Sequence, residues 1–374
     1  MLKSLETSNA LLALTRLGIG KTVQSIPHKF DWPAIQDLAV KHGLLAVVLD
    51  GIDCLKQLNR ENDMYELPDR FMLLQWIGEV HQGLESFYES YKQAIGEMAA
   101  FYNAHGFKMM ILKGYACSLD WPKPEHRPCG DIDIWLFGQF KEADAILAKE
   151  KGIKVNNSHH HHTVFNWRDF LVENHYDFIN VYHHKSHSEF EKILKELGKD
   201  DSNRVEISAW SKEDNVGSEI VYLPSPNLHA LFLLKHLTLH FSTGEISIRQ
   251  MLDWAFFVEK HGKEVDWNWF EDVLEKFGMT TIYNIFNAIC VEELGFDVKV
   301  FHQVQFEPGL KARVLNDILF PEFGEEEPVG LKRIAFKFRR WKANGWKHKL
   351  CYKESMWSAF WYGIWNHLLK PSSI

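Results

Sequence analysis

The run Arg127-Pro-Cys-Gly-Asp-Ile-Asp-Ile134 sets two carboxylates two residues apart. In an extended chain successive side chains alternate, so Asp131 and Asp133 project from one face while Ile132 and Ile134 take the other. Two carboxylates side by side repel each other, and a bound divalent cation removes that penalty. A pair of magnesium ions held this way can activate an attacking oxygen and neutralise a triphosphate leaving group. A third carboxylate from a neighbouring strand would complete the set. Leu171-Val-Glu-Asn-His-Tyr-Asp177 supplies candidates, because Glu173, His175 and Asp177 share one face. A paired-Asp motif alone is common at strand ends, so its surroundings decide. Upstream, the apolar run Lys108-Met-Met-Ile-Leu112 ends in Lys113-Gly114. A glycine there lets backbone N–H groups approach a phosphate, a helix N-terminus favours the phosphate charge, and Lys113 adds a point charge.

The elements that must hold these residues follow from periodicity. Residues 1 to about 105 read as helical, with apolar positions three or four apart from Trp32 to Leu55 and from Phe71 to Tyr102. The pattern then shifts. Lys108–Leu112 reads as a buried strand, Tyr115–Asp120 as a short helix, and Pro122, Pro124 and Pro128 mark a loop. Asp131–Leu136 reads as a strand and Phe140–Lys151 as a helix. Thr163–Phe165 and Phe170–Ile179 suggest a hairpin around Asn166-Trp-Arg-Asp169, and Val205–Ser208 and Ile220–Leu223 suggest further short strands. From Pro226 the chain reads as helical again. The expectation is an α+β protein: a helical region over 1–90, a small core with a short mixed sheet over 91–225, and a helical region over 226–374.

Strand, glycine turn, short helix, then a strand with paired Asp resembles the polymerase-β-like nucleotidyltransferase superfamily. Within it, Leu112-Lys113-Gly114, then Arg127 ahead of Gly130-Asp-Ile-Asp-Ile134, then the Glu173–His175 strand resembles the bacterial uncharacterised nucleotidyltransferase family. The resemblance covers roughly residues 90 to 225 and, weakly, the helices that follow. It implies a nucleotidyltransferase core that moves a nucleotidyl group from an NTP to an acceptor hydroxyl, using Mg2+ and releasing pyrophosphate. It implies that Asp131, Asp133 and Glu173 are the catalytic metal ligands, with Asp177 a weaker alternative to Glu173. Lys113 and Gly114 would sit on the nucleotide phosphates, and Arg127 would contact phosphate or orient an Asp. His162, ahead of the Glu173 strand, would face the active site. His175, on the Glu173 face of its strand, is either an acceptor or phosphate contact or a hydrogen-bonded strand histidine. An Arg-x-x-x-Asp helix after a histidine helix would bring Arg249 to the nucleotide pocket. Where the superfamily carries Gly-Ser or Gly-Gly in its turn, this chain has Lys113-Gly114-Tyr115. That departure keeps open a non-catalytic nucleotide- or metal-binding module on the same fold.

The other unusual residues admit competing readings. His159-His-His-His162, with His183, His184 and His187, raises a zinc protein, since imidazole suits zinc. Four consecutive residues cannot all bind one tetrahedral ion, so a polar loop is the simpler reading. His236 and His240 are four apart, but position 237 is Leu, so no zinc-protease HExxH exists and core or interface histidines are expected. Arg249 and Asp253 have the spacing of a helix salt bridge. After Glu325-Glu-Glu327, residues 331–353 carry nine Lys and Arg and no acid, interleaved with Trp341, Trp346 and Tyr352. That stretch, with Trp357, Phe360, Trp361, Ile364 and Trp365 beyond it, suits RNA, an anionic surface, or a solvated face whose aromatic stripe docks on the core. The net charge of −8 excludes a nucleic-acid binder over the whole surface. Five scattered cysteines without a CxxC pair indicate neither a disulfide framework nor a zinc ribbon, and suit the cytoplasm. No run approaches a spanning helix, and the N-terminus reads as an amphipathic helix. The acceptor, whether small molecule, protein or RNA end, is not specified by any motif.

Overall fold

A computed structural model describes residues 2–62, 64–210, 216–244, 246–322 and 328–369. The first helices are α1 (Leu2–Gly18), α2 (Trp32–His42), α3 (Leu45–Asn62), α4 (Arg70–Gly78) and α5 (Ser86–Ala104). The apolar run expected as one helical stretch from Phe71 is split between α4 and α5 by a π-helical segment, Glu79–Glu85. The centre holds β1 (Met110–Ile111), α6 (Tyr115–Ser118), β2 (Ile132–Trp135), α7 (Phe140–Lys151), β3 (His162–Trp167), β4 (Phe170–His175), α8 (His187–Leu197), β5 (Arg204–Trp210) and β6 (Val216–Tyr222). Then follow α9 (Pro226–Thr243), α10 (Ile248–His261), α11 (Trp267–Phe277), α12 (Thr280–Glu292), α13 (Pro308–Leu319), α14 (Leu331–Ala343), α15 (Gly345–Cys351) and α16 (Met356–Leu369). The protein is α+β as the patterning predicts, with helices on either side of the strands in sequence. The acidic run Glu325–Glu327 lies outside the described residues.

The six strands form one mixed sheet in the order β3-β4-β2-β1-β6-β5. β2 runs parallel to β4 and antiparallel to β1, and β1 runs parallel to β6. Alternation along the strands separates two apolar layers. Ile111, Ile132, Ile134, Phe165, Val172 and Val221 pack with Tyr91, Ile95, Met98 and Tyr102 of α5 and Leu147 of α7. The opposite parity, Met110, Leu112 and Trp135, joins the larger cluster with α9 and α10. Asp133 lies between Ile132 and Ile134 in sequence and so faces the α9 side. The C-terminal helices therefore cover the face that carries the paired-Asp strand.

The loop before β2 is pinned from both helical regions. His126 is bonded through Nδ1 to Asp50 Oδ2 (2.7 Å) in α3 and through Nε2 to Glu85 Oε1 (3.1 Å) in the π-helical segment. Lys123 Nζ donates to Asp50 Oδ1 at 2.6 Å. From the other side, Arg127 donates Nε–H to Asp253 Oδ1 (2.7 Å) and Nη2–H to Oδ2 (2.8 Å), and Trp121 Nε1–H joins Oδ1 (2.9 Å). Arg127 is 5% exposed and Asp253 6%. A two-pronged guanidinium–carboxylate pair is the geometry that offsets desolvation of both charges.

Two measurements test this frame. Arg127→Met strands a buried carboxylate and should cost about 3–5 kcal/mol in denaturant unfolding, whereas Arg127→Met combined with Asp253→Leu should recover much of the loss. Equal stability of the single variant and the parent would contradict the clamp. Burial lowers His229 to about 4, against about 6.5 in an unfolded chain. A histidine kept neutral in the fold contributes stability above about 6.5 that is lost as pH falls towards about 4. His229→Gln should therefore flatten the decline of melting temperature across that window, and a curve parallel to the parent's would refute the assignment.

Candidate active site

Parallel pairing of β2 with β4 sets Asp133 opposite Glu173, and Trp135 opposite His175. Registered partners on neighbouring strands point to the same side, which brings Asp133, Glu173 and His175 together. Asp133 is 2% exposed. Its Oδ1 accepts hydrogen bonds from Lys113 Nζ at 2.8 Å and from His175 Nε2 at 3.0 Å. Glu173 Oε2 stands 3.6 Å from His175 Nε2 and 3.6 Å from His162 Nδ1. His175 Nδ1 lies 3.2 Å from the Asp177 carbonyl.

The charges are mutually stabilised. Burial pushes the Asp133 carboxyl up, but the Lys113 ammonium and the bond from His175 outweigh it and hold the group well below the usual carboxylate range. Burial pulls His175 down, yet its bond to Asp133 and the nearby Glu173 carboxylate prevail and raise it to about 9. Lys113 is raised in the same way, with the Asp133 charge overcoming desolvation. Burial pushes Glu173 up, but the His175 and His162 rings beside it outweigh that and lower it. Asp131, just before β2 and exposed, is raised by desolvation and then by the neighbouring Asp133 charge.

The Lys113-Gly114 turn has a backbone reason for its glycine. Gly114 has φ +55°, and a Cβ there would lie 2.2 Å from the Tyr91 hydroxyl. That hydroxyl donates to the Asp131 carbonyl at 3.0 Å, so the close approach of α5 ties the turn to the start of the Asp strand. The α6 helix that opens after the glycine has only four residues.

A cavity of about 240 Å³ opens from this turn. Lys113, Gly114, Asp131 and Asp133 form one wall, and Arg127, Arg249 and Asp253 another. The third wall is Leu233, His236, Leu237 and His240, spaced three and four apart on one face of α9. Arg249 Nη1–H donates to the Pro128 carbonyl at 2.7 Å, while the Asp253 carboxylate allowed to it by helix spacing is taken by Arg127. His236 and His240 are lowered by burial and then by the Lys113 charge, so both are neutral lining groups. Their place here goes beyond the core or interface role expected for them. The available signal was two polar residues on the helical stripe of an otherwise apolar segment. Asp253, as the anchor of Arg127, is the other residue that spacing alone did not identify.

Of the predicted site residues, Lys113, Gly114, Arg127, Asp131, Asp133 and Arg249 thus share one cavity. Glu173, His162 and His175 meet Asp133 from the hairpin side. Asp177 leaves the group and pairs with Lys195. Of the four-histidine run, His162 opens β3, and His161 accepts through its carbonyl from the Tyr176 and Asp177 N–H groups, both at 3.0 Å. His184 belongs to a separate structural group: its ring stacks on Tyr352 at 4.0 Å and its Nδ1 bonds Glu354 at 3.0 Å. The basic aromatic stretch divides. In α15, Lys347 and His348 are buried, with Lys347 paired to Asp317 at 2.5 Å. In α14, Lys332, Arg339 and Phe338 are exposed, and Trp341 packs on Trp357 and Phe360. Trp357, Trp361 and Trp365 of α16 are 56%, 62% and 65% exposed, so these three face outward, while Phe360 and Ile364 of the same stripe are half-buried and turn towards His184 and His348. A larger hollow of about 380 Å³ lies farther along α9, between His184, His348 and the aromatics of α14 and α16, and holds none of the site carboxylates. No described helix is long and apolar enough to cross a membrane.

A family model described as uncharacterised nucleotidyltransferase matches residues 28–295. The match reaches beyond the sheet in both directions, from just before α2 to just after α12, and so includes the helices that pin the loop and cover Asp133. No curated protein matches, and no solved structure does. With most of its length matched, the chain belongs to the uncharacterised nucleotidyltransferase family.

Proposed function

We propose that the protein transfers a nucleotidyl group from an NTP to an acceptor hydroxyl, with Mg2+ as cofactor. The observation that carries this reading is the facing of Asp133 and Glu173 on adjacent parallel strands, beside the cavity that Asp131 and Lys113 line. The carboxylates fit a divalent ion: one oxygen each of Asp133 and Glu173 lies within 4.8 Å of the other, and carboxylate oxygens are the donors magnesium prefers. Asp131, Asp133 and Glu173 would hold the ion, which would supply neutralisation of phosphate charge. The acceptor oxygen attacks the α-phosphorus, the bond from that phosphorus to the bridging oxygen breaks, and pyrophosphate leaves. Glu173, only partly buried, is the group in reach of solvent that takes the hydroxyl proton. Lys113 and Arg249 supply positive charge to the phosphates from the cavity wall. Arg127, held by Asp253, orients the strand that carries the two Asp residues. His162 and His175 contact the acceptor or a phosphate.

The acceptor hydroxyl belongs to a small molecule, a protein side chain or an RNA end. For a large anionic acceptor or surface, the exposed cationic side of α14 is the contact this reading assigns. Five unpaired cysteines suit a reducing cytoplasm. A second reading, a binding module without turnover, is favoured by one observation: Lys113 occupies Asp133 as an internal counter-cation. Incubation with labelled NTPs, Mg2+ and cell extract separates the two. Transfer of label with pyrophosphate release supports catalysis, and thermal stabilisation by NTP and Mg2+ without release supports the module. Glu173→Gln and Asp133→Asn should each cut turnover by roughly 10²–10³ or more with circular dichroism unchanged. Normal turnover in Glu173→Gln would reject its role.

A further inference from the structure

Beside the carboxylates stands a second group of donors with different chemistry. One ring nitrogen each from His161, His162 and His175 lies within 4.8 Å of the other two. The hairpin makes this meeting: His162 pairs with His175 across β3 and β4, and the His161 carbonyl is held by the next two N–H groups after β4. The ring centroids are 4.2 Å apart for His161–His162, 5.5 Å for His161–His175 and 5.3 Å for His162–His175. His162 is 6% exposed and His175 3%. Nδ1 of His161 and Nδ1 of His162 are buried and have no hydrogen-bond partner. Buried polar groups are normally satisfied, so two unsatisfied ring nitrogens on adjacent residues call for a ligand.

We propose that His161, His162 and His175 form a site for a zinc-class transition ion. Imidazole nitrogen is a donor that zinc and its neighbours take readily and magnesium does not. The objection to four consecutive histidines on one ion does not apply, because only two of the run take part and the third ligand comes from the facing strand. His175 has the outer contact expected of a ligating imidazole: Nδ1–H points to the Asp177 carbonyl, 3.2 Å away, which turns Nε2 inward. The ion displaces the Nε2 proton to solvent and takes the place of the hydrogen bond from that Nε2 to Asp133. Three protein ligands leave a position open to water or substrate, and Glu173 Oε2 stands beside the group, 3.6 Å from both His162 Nδ1 and His175 Nε2.

The site is tested on the full-length protein, stripped with a chelator and titrated with Zn2+ without nucleotide. The result therefore stands apart from whether the protein transfers nucleotides. The expected outcome is one equivalent of bound zinc, with X-ray absorption of the loaded parent giving a shell dominated by imidazole nitrogen. His161→Ala and His162→Ala should each weaken binding by roughly tenfold or more, while His184→Ala, in the separate group on Tyr352, should bind as the parent does. Circular dichroism checks the fold of each variant, and the absorption measurement needs no variant at all. Absence of stoichiometric binding, an oxygen-dominated shell, or loss in His184→Ala with no change in the other two would overturn the assignment.

Discussion

A carboxylate withdrawn almost wholly from water has to be met by positive charge, and the arrangement around Asp133 follows from that requirement. Desolvating an ion costs several kcal/mol even after the protein relaxes. Lys113 and His175 together offset that cost by meeting at one oxygen. Each must come from a different neighbour of β2. The turn after β1 delivers the lysine, and β4, running parallel to β2, delivers the histidine at the matching register. The glycine at 114 lets the turn come close enough beneath Tyr91. α9 adds to that burial by setting its histidine-bearing face across the cavity from the strand.

The helical regions on either side act as a frame for a single loop. Asp50 and Glu85 hold it through His126, and Asp253 holds it through Arg127. These contacts keep Arg127 and Asp131 in the lining of the cavity while leaving Asp131 exposed. The cavity thus has a sheet-derived wall rich in carboxylates and a helix-derived wall carrying neutral histidines and Arg249. The match of the family to residues 28–295 spans both parts of this frame.

What could be read from the sequence was what depends on local order. Period-two alternation put Asp133 on the face of its strand away from Ile132 and Ile134, and Glu173 on one face with His175, and the apolar run before Lys113-Gly114 located β1. The α+β class and the positions of α7 and the hairpin came from the same patterning. What could not be read depends on pairs distant in the chain. Arg127 and Asp253 are 126 residues apart, and the nearer spacing of Arg249 to Asp253 pointed to a different partner. The cavity role of His236 and His240 needed the knowledge that α9 lies over the sheet. The grouping of His161 and His162 with His175 needed the β3–β4 register, since nothing in a run of four histidines says which two meet a third. The outward face of the α16 tryptophans was likewise undetermined, because helical spacing defines a stripe without saying what it faces.

The Arg127–Asp253 clamp bears on how small a working piece of this protein can be. A chain shortened after Tyr222 would keep every strand of the sheet and every acidic residue proposed to hold an ion. It would also leave a guanidinium buried without its carboxylate and Asp133 stripped of its α9 cover. The strand that looks self-sufficient in the alphabet of motifs is therefore finished by helices that contain none of them. Transplanting the chemistry onto another scaffold would require carrying α9 and α10 along with the sheet.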